Sequence, residues 1–595
     1  VTDTILDRRD LRFQLFDVLD TDSLLSRPRF ADHSRETIEA ALDTAEKLAQ
    51  EKFADHNTLC DKEEPAFIDG KVVMRPEVKS AFDAYIEAGF LSARASFEEG
   101  GMQLPETAAA ACTGMFTCVN PSTTVYPFLT GAAANVIRNF ASESLKQRFL
   151  LPMMAGRFTG TMALTEPHAG SSLADIRTRA LPQDDGSYRI KGNKIYISAG
   201  DNELGENIVH LVLAKIPGGP DGVKGISLFV VPKYRLNEQG EPAEHNDVIL
   251  AGLIHKMGYR GATSTALTFG DNDDCHGYLV GEPHQGLRYM FQMMNEARVA
   301  VGYGAALLGY RGYQFSLEYA RDRTQGRHAE NADFSQPMVP IIEHADVRRL
   351  LLTQKAYAEA ALAMCFYGYR LVDEIDTGEE SDAREAELLL DLLTPVIKTW
   401  PSEFGLKAND MAIQIFGGAG YTREYPVEQV WRDNRLNPIH EGTTGIHGLD
   451  LLGRKVWQAK SRGLQLLAER IMRDVNATTD SRCVSFAKAL QAMLPKIQAT
   501  TEVAGKLLAE QGPTVGLSNA NAYLQLVGHV VAAWMWLRQA NAAVSLTAAE
   551  DQDFASGKLQ AARYFFQWEL PRVEVDVQRL LEGDRIFLEM EDRWF

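Results

Sequence analysis

The stretch AIQIFGGAGYTREYPVEQVWRDNR, residues 412–435, places three glycines in four positions, at Gly417, Gly418 and Gly420. A glycine cluster of this kind marks a dinucleotide site when it follows a strand and opens a helix inside a βαβ unit. Here it follows REAELLLDLLTPVIKTWPSEFGLKANDMAIQIF, whose apolar residues recur at helical spacing. No strand precedes it, so a Rossmann reading fails. The glycines then end a helix and form a tight loop. Such a loop can also admit a nucleotide backbone, because glycine lets a ligand approach the main chain closely. The chain around this stretch is therefore helical, and the fold is not a doubly wound α/β sheet.

Working outward, helical patterns fill residues 283–455 and suit a bundle of long antiparallel helices. One of them, QGLRYMFQMMNEARVAVGYGAALLGYRGYQFSLEYARDR, carries small residues at intervals. Further helical runs, among them YLQLVGHVVAAWMWLRQANAAV, make residues 456–595 an additional helical domain. Residues 1–158 also read as helix, with Ser34 as a candidate N-cap of SRETIEAALDTAEKLAQEKFA. Thr37 stands where a capping box needs Glu or Gln, so the reciprocal bond is not expected. Between 159 and 282 the texture changes. SYRIKGNKIYIS, IVHLVLAKI, GISLFVVPK and TALTFGD are short β-branched runs divided by Gly, Pro and Asp, which predicts a small, mostly antiparallel β-domain. The expected fold is mainly α with a central β-domain.

The 595 residues suffice for roughly three to five domains. A hydrophobic share of 45% with 24% charged residues suits a globular protein that needs no disulfide or metal staple. The net charge of −19 makes nucleic acid a poor partner. The six cysteines form no CxxC pair and no zinc-ligand cluster, so no metal is expected. VTDTILDRRD has five charged residues in its first ten and lacks the apolar run of a leader. LVGHVVAAWMWL, residues 526–537, is too short for a membrane span and reads as a buried core helix. A cytoplasmic protein of bacterial type is the expectation.

Several local patterns carry chemistry. TMALTEPHAGSSLADIRTRA, residues 161–180, offers hydroxyls at Thr165, Ser171 and Ser172 and open backbone around Gly170. It suits either a phosphate cradle or a polar turn. In GNKIYISAGDNE, alternation puts Lys194, Tyr196 and Ser198 on one strand face, where an aromatic and a hydroxyl could meet a flat ligand. YARDRTQGR gathers Arg321, Arg323 and Arg327 late on a helix, which serves the helix dipole or a pyrophosphate equally well. HEGTTGIHGLDLLGRK places Glu441 before a helix start, where an acid is favoured with no catalytic role at all.

Together these motifs resemble the flavin-dependent acyl-CoA dehydrogenases. The resemblance runs from about residue 75 to 455 and includes FEEGGMQLP, ALTEPHAGSS, KIYISAG, HKMGYRGATST, NEARVAVG, ARDRTQG, IIEHADVRR, QIFGGAGYTREYPVEQVWRDNR and HEGTTGIHGLDLLGRK. RRDLRFQLFDVL and the long tail are similar to an enlarged bacterial subgroup. That subgroup includes long-chain and methylmercaptopropionyl-CoA dehydrogenases.

The resemblance implies an acyl-CoA dehydrogenase fold with a helical N-domain, a β-barrel-like middle domain and a four-helix bundle. It implies FAD as cofactor, an acyl-CoA substrate, an electron-transfer flavoprotein as acceptor and a homodimer. It assigns Glu441 as the base that removes the α-proton while a hydride leaves for the flavin. Met162, Leu164, Thr165, Gly170, Ser171, Tyr196, Ser198 and Thr443 match flavin-binding positions. Arg323, Gln325, Gln414, Gly417 and Gly418 match positions that bind the ADP half of FAD in an adjacent subunit. Ser171, Arg298 and Gly442 match substrate positions, with an ion pair as the alternative for Arg298. Three departures stand out. Tyr196 and Ser198 replace a common Trp-x-Thr, RTQGR lacks an aromatic before its glycine, and His440 stands where many relatives have Tyr. A neutral His440 would bond backbone, whereas a protonated one would lower the pKa of Glu441. An acyl-CoA oxidase and a flavin-bearing DNA-binding relative are the competing readings.

Overall fold

A computed structural model describes residues 5–328, 330 and 333–595. The stretch read for a leader begins at Val1, so its first four residues lie outside the described ones. The chain groups into two compact units. One comprises Glu39–Leu104 and Met115–Ala297; the other comprises Val1–Ile38, Pro105–Gly114 and Arg298–Phe595.

The helices include α1 (Arg35–Leu48), α2 (Pro76–Glu87), α3 (Glu106–Val119), α4 (Pro121–Phe140), α5 (Gly286–Asp322), α6 (Ala345–Thr377), α7 (Glu380–Phe416), α8 (Val427–Asn434), α9 (Thr444–Gly453), α10 (Arg462–Ala477), α11 (Leu494–Gln511), α12 (Ala520–Val544) and α13 (Gln552–Tyr564). The strands of the main sheet are β1 (Phe158–Ala163), β2 (Arg179–Pro182), β3 (Tyr188–Ser198), β4 (Asn207–Lys215), β5 (Ile226–Pro232), β6 (Val248–Leu253), β7 (Ser264–Phe269) and β8 (His276–Leu279).

The sheet of the first unit runs β6-β7-β3-β8-β5-β4-β1, with β2 pairing β3 and β4. Most pairs are antiparallel, and β1 lies parallel to β4. The β4 run is apolar almost throughout because both its faces are buried. Val209, Leu211 and Leu213 pack with Ala133 and Ile137 of α4, whereas Val212 and Ala214 pack with Phe229 and Phe269. Asn120 caps α4 by accepting from Thr123 N at 3.0 Å, and Pro121 fills the first position, where no N–H is needed.

The start of α1 corrects one expectation. Thr37 N donates to Ser34 Oγ at 3.3 Å, and Ser34 N donates back to Thr37 Oγ1 at 2.8 Å. A threonine hydroxyl thus supplies the reciprocal bond usually made by Glu or Gln.

In the second unit, the small residues of α5 explain its close approach to α7. Pro401 lacks the N–H that would bond the Ile397 carbonyl. Gly302 packs against that carbonyl, and a Cβ there would overlap it. Two turns further along, Gly309 faces Gly405 backbone to backbone. Between these helices and α8 runs a chain of buried amides. Asn409 Nδ2 donates to Leu308 O at 2.8 Å, Asn434 Nδ2 to Asn409 Oδ1 at 2.6 Å, and Asn437 Nδ2 to Asn434 Oδ1 at 2.9 Å.

The N-terminal segment belongs to this second unit. Phe13 and Val18 pack with Ala543 of α12 and Ala555 of α13. Lys558 Nζ, fully buried, bonds Asp10 Oδ1 at 2.5 Å and Glu359 Oε2 at 2.8 Å. Residues 526–537 are all buried within α12, as their composition predicts. Trp534 Nε1 donates to Asp474 Oδ2 at 2.7 Å and Trp536 Nε1 to Ala356 O at 3.0 Å, which satisfies the polar edges of both indoles. Among the described residues, no helix is long and apolar enough to cross a membrane.

Candidate active site

Glu441 sits on a turn two residues before the Thr443 cap of α9. Its backbone is left-handed (φ 53°), and Gly442 follows at φ 97°. A left-handed residue with a Cβ costs about 1–3 kcal/mol and persists only where its surroundings enforce it. Three groups do so here. Lys398 of α7, with no exposed surface, donates to Asn437 O at 2.8 Å and to Gly442 O at 2.6 Å. His447 Nε2–H donates to Glu441 O at 3.1 Å. The asparagine chain fixes Asn437 from the other side.

Burial raises the pKa of the Glu441 carboxyl; Arg298 first and Lys398 second pull it back down. Burial lowers Lys398 to about 8, with Glu441 opposing. The site therefore holds a partly desolvated carboxylate facing two cations. That is the environment of a base whose proton affinity is set by burial and tempered by charge.

Arg298 Nη1 lies 3.7 Å from Asp450 Oδ2, and both groups are largely buried. Burial lowers the pKa of Arg298, while Asp450 and then Glu441 favour its charged form. The geometry thus shows the ion pair given above as its alternative role. His440 Nδ1–H donates to Leu436 O at 3.2 Å, and burial brings its pKa down to about 4, with Lys398 adding to the shift. The bond to Leu436 O is the geometry of the backbone-bonding alternative, and burial disfavours the cationic form. His447 is likewise lowered, to about 3, by burial and by the same two cations.

In the other unit, the two sequence motifs expected at a flavin are brought together. Ile195 N donates to Thr165 O at 3.0 Å, and Thr161 Oγ1 donates to Ser198 O at 2.6 Å. The partly buried side chains of Met162 and Leu164 pack on the core. Gly170 lies in open space and Ser171 is exposed.

The alternation predicted for β3 is broken. β7 pairs Leu267 with Lys194 but Thr265 with Ile197, so β3 holds an extra residue between them. Tyr196 takes φ 58° at this bulge. Lys194 consequently points inward, while Tyr196 (63% exposed) and Ser198 point out. The buried lysine pairs with Glu166 at 2.9 Å and donates to Leu164 O at 2.9 Å. Burial lowers Lys194 to about 8. It also pushes Glu166 up, but Lys194 and the bonds from Thr178 and Arg177 leave Glu166 lowered. This knot pins the TEPHAG loop to β3.

At one end of the bundle, Tyr319 of α5 stacks on Phe416 of α7 with ring centroids 4.0 Å apart. Arg323 follows Tyr319 by one turn, its N–H donating to Tyr319 O at 2.8 Å, and Gln414, Gly417 and Gly418 flank Phe416 in the chain. Arg323 Nη2 lies 3.5 Å from Gln325 Oε1. A Cβ at Gly417 or Gly418 would meet nothing within 4 Å, so this backbone is open. Thr443 is exposed, and its hydroxyl makes no cap bond. Lys398, Asp450 and His447 escaped the sequence reading because nothing local marks their roles; Lys398 lies within a long helical run and reaches the turn only through tertiary packing.

Four consecutive segments match family models: acyl-CoA dehydrogenase N-terminal domain (residues 35–157), middle domain (161–272), C-terminal domain (284–456) and acetyl-CoA dehydrogenase C-terminal like (467–591). The chain is 35% identical to 3-methylmercaptopropionyl-CoA dehydrogenase of Ruegeria pomeroyi, over 97% of this chain and 98% of the relative. The chain belongs to the acyl-CoA dehydrogenase family. Another member similar to it is the broad-specificity linear acyl-CoA dehydrogenase FadE5 of Mycobacterium tuberculosis, 34% identical over 99% of both chains. Butyryl-CoA dehydrogenase of Syntrophomonas wolfei is 32% identical over 99% of this chain and 98% of the relative. The acyl-CoA dehydrogenase fold extends to Caenorhabditis elegans ACDH-11 in complex with C11-CoA. Its TM-score is 0.79 at 19% identity, covering 98% of this chain and 96% of that one. An acyl-CoA dehydrogenase complexed with FAD from Bacillus anthracis gives a TM-score of 0.74 at 21% identity, covering 95% and 90%.

Proposed function

We propose that this acyl-CoA dehydrogenase uses FAD to convert a straight-chain acyl-CoA, medium to long, into its trans-2-enoyl-CoA, with Glu441 as the base. The observation that carries the reading is the Glu441 turn. A carboxylate raised by burial, opposed by Arg298 and Lys398, and fixed by its own backbone carbonyl is equipped to take a proton from a carbon acid. Gly442, which carries no side chain, is the residue proposed to let a thioester approach the backbone here. The backbone N–H of Glu441 is the donor proposed for the thioester oxygen, where charge develops as the α-proton leaves.

The residues fit FAD on two counts. Tyr196 offers an exposed ring beside the exposed Ser198, and Gly170 with Ser171 offers open backbone and a hydroxyl. Arg323, Gln325, Gln414 and the open Gly417–Gly418 turn offer donors suited to a diphosphate, proposed to serve the ADP half of FAD in a second subunit of a homodimer. FAD supplies the hydride acceptor. The side chains of this protein bind and orient, and Glu441 receives the α-proton at a carboxylate oxygen. Electrons then pass to an electron-transfer flavoprotein in the cytoplasm, within fatty acid β-oxidation.

A second reading is carried by the 35% identity to methylmercaptopropionyl-CoA dehydrogenase. All three full-length relatives above are named for unbranched acyl groups. Anaerobic bleaching of the flavin by butyryl-, octanoyl-, palmitoyl- and 3-methylmercaptopropionyl-CoA separates the two. The proposed reading expects the longer straight chains to bleach fastest. Fastest bleaching by the sulfur compound would give the second reading. No bleaching by any of them would end both. Peroxide released in step with turnover in air would assign an oxidase instead.

A further inference from the structure

The buried lysine of α7 has no part in the reading above beyond its charge, yet its geometry is specific. Lys398 is flanked in its helix by Pro395 and Pro401, and its Nζ reaches out of the helix to two carbonyls. Those carbonyls, of Asn437 and Gly442, stand on either side of the four residues that include His440 and Glu441. One ammonium therefore closes this turn like a staple. Its charge-assisted bonds are stronger than neutral ones would be. With Gly442 O held by Lys398 and Glu441 O held by His447, both peptide planes after Glu441 are fixed, and with them the direction of its side chain.

We infer that Lys398 is a positioning residue for the reaction: it holds the Glu441 turn in its left-handed form and keeps a positive charge beside the base. The inference rests on Glu441 being the base. The charged and titratable groups around this pair are Arg298 with Asp450 from α5 and α9, Glu403 on α7 itself, and His440 and His447 from the turn and α9. Burial disfavours the cationic form of both histidines, so among the described residues Arg298 and Lys398 are the cations that act on Glu441. The sign follows directly. A cation favours the ionised carboxylate, so removing it raises the pKa of Glu441 and moves the acid limb of the rate upward in pH.

The test compares wild-type holoenzyme with Lys398→Met and Lys398→Arg. Two readings are taken: the pH midpoint of anaerobic flavin bleaching by saturating octanoyl-CoA, and the infrared band of the protonated Glu441 carboxyl. That band is the one missing from Glu441→Gln, and its titration needs folded protein but no turnover. Lys398→Met should lower the limiting bleaching rate about 100-fold with little change in half-saturation. It should also raise both midpoints by about one pH unit. Lys398→Arg, which keeps the charge, should leave both midpoints near wild type. Unmoved midpoints in Lys398→Met would overturn the inference, as would an equal shift in Lys398→Arg. Lys398→Gln substitutes on the same readings if the methionine variant does not fold. Wild-type protein that octanoyl-CoA does not bleach would count against the proposed function and not against Lys398 alone.

Discussion

Glu441 and Gly442 share a turn in which backbone strain and side-chain chemistry cannot be separated. A Cβ added at Gly442 would lie 2.8 Å from His447 Nε2, at a φ that L side chains rarely adopt. Gly442→Ala should therefore displace the His447 bond to Glu441 O. Shifts of this size near reacting atoms cost about 100-fold in rate. Stopped-flow bleaching should show that loss with the flavin still bound; a wild-type rate would mean that the turn tolerates the strain. At this scale the sequence was informative about identity and silent about surroundings. The motif HEGTTG marked Glu441, and the structure shows the turn. Nothing in the sequence indicated that a lysine 43 positions earlier would hold it. Nor could sequence decide the state of His440, because that depends on burial and on the Leu436 carbonyl.

Among the elements, α5 and α7 show how much a helix pattern reveals. Their apolar spacing predicted the helices, and the small residues of α5 hinted at a close contact without naming the partner. The structure pairs Gly302 with the carbonyl that Pro401 leaves unbonded. Gly302→Ala would push a methyl into backbone, which cannot move aside as a flexible side chain can. Overpacking of this kind costs about 1–3 kcal/mol. A lowered melting temperature is the expected outcome, and an unchanged one would show that the helices can part freely. The strand β3 teaches the converse lesson. Alternation put Lys194, Tyr196 and Ser198 on one face, but a bulge at Tyr196 reverses the facing between Lys194 and the other two. Period-two reasoning fails wherever one extra residue enters a ladder, and no glycine marked this bulge in advance.

For the molecule as a whole, composition and element order conveyed the architecture, from helices through a β-rich middle to further helices. What they did not convey was the grouping of the N-terminal segment with the C-terminal helices. That grouping is made by long-range polar contacts, chiefly the buried Lys558 between Asp10 and Glu359, with Lys355 also paired to Glu359. Removing one partner of a buried ionic cluster typically costs about 3–5 kcal/mol, since the remaining charges lose their compensation. Lys558→Met should accordingly lower thermal stability strongly, and Asp10→Asn added to it should restore part of the loss. A wild-type melting curve for Lys558→Met would show that the cluster does not hold the segment.

The central claim is that Glu441 takes the α-proton of an acyl-CoA. Anaerobic mixing of the flavin-loaded protein with a saturated straight-chain acyl-CoA tests it most directly, in wild type and in Glu441→Gln. The account predicts that wild type bleaches, whereas Glu441→Gln keeps its yellow colour and does not. Bleaching of Glu441→Gln at the wild-type rate would contradict it.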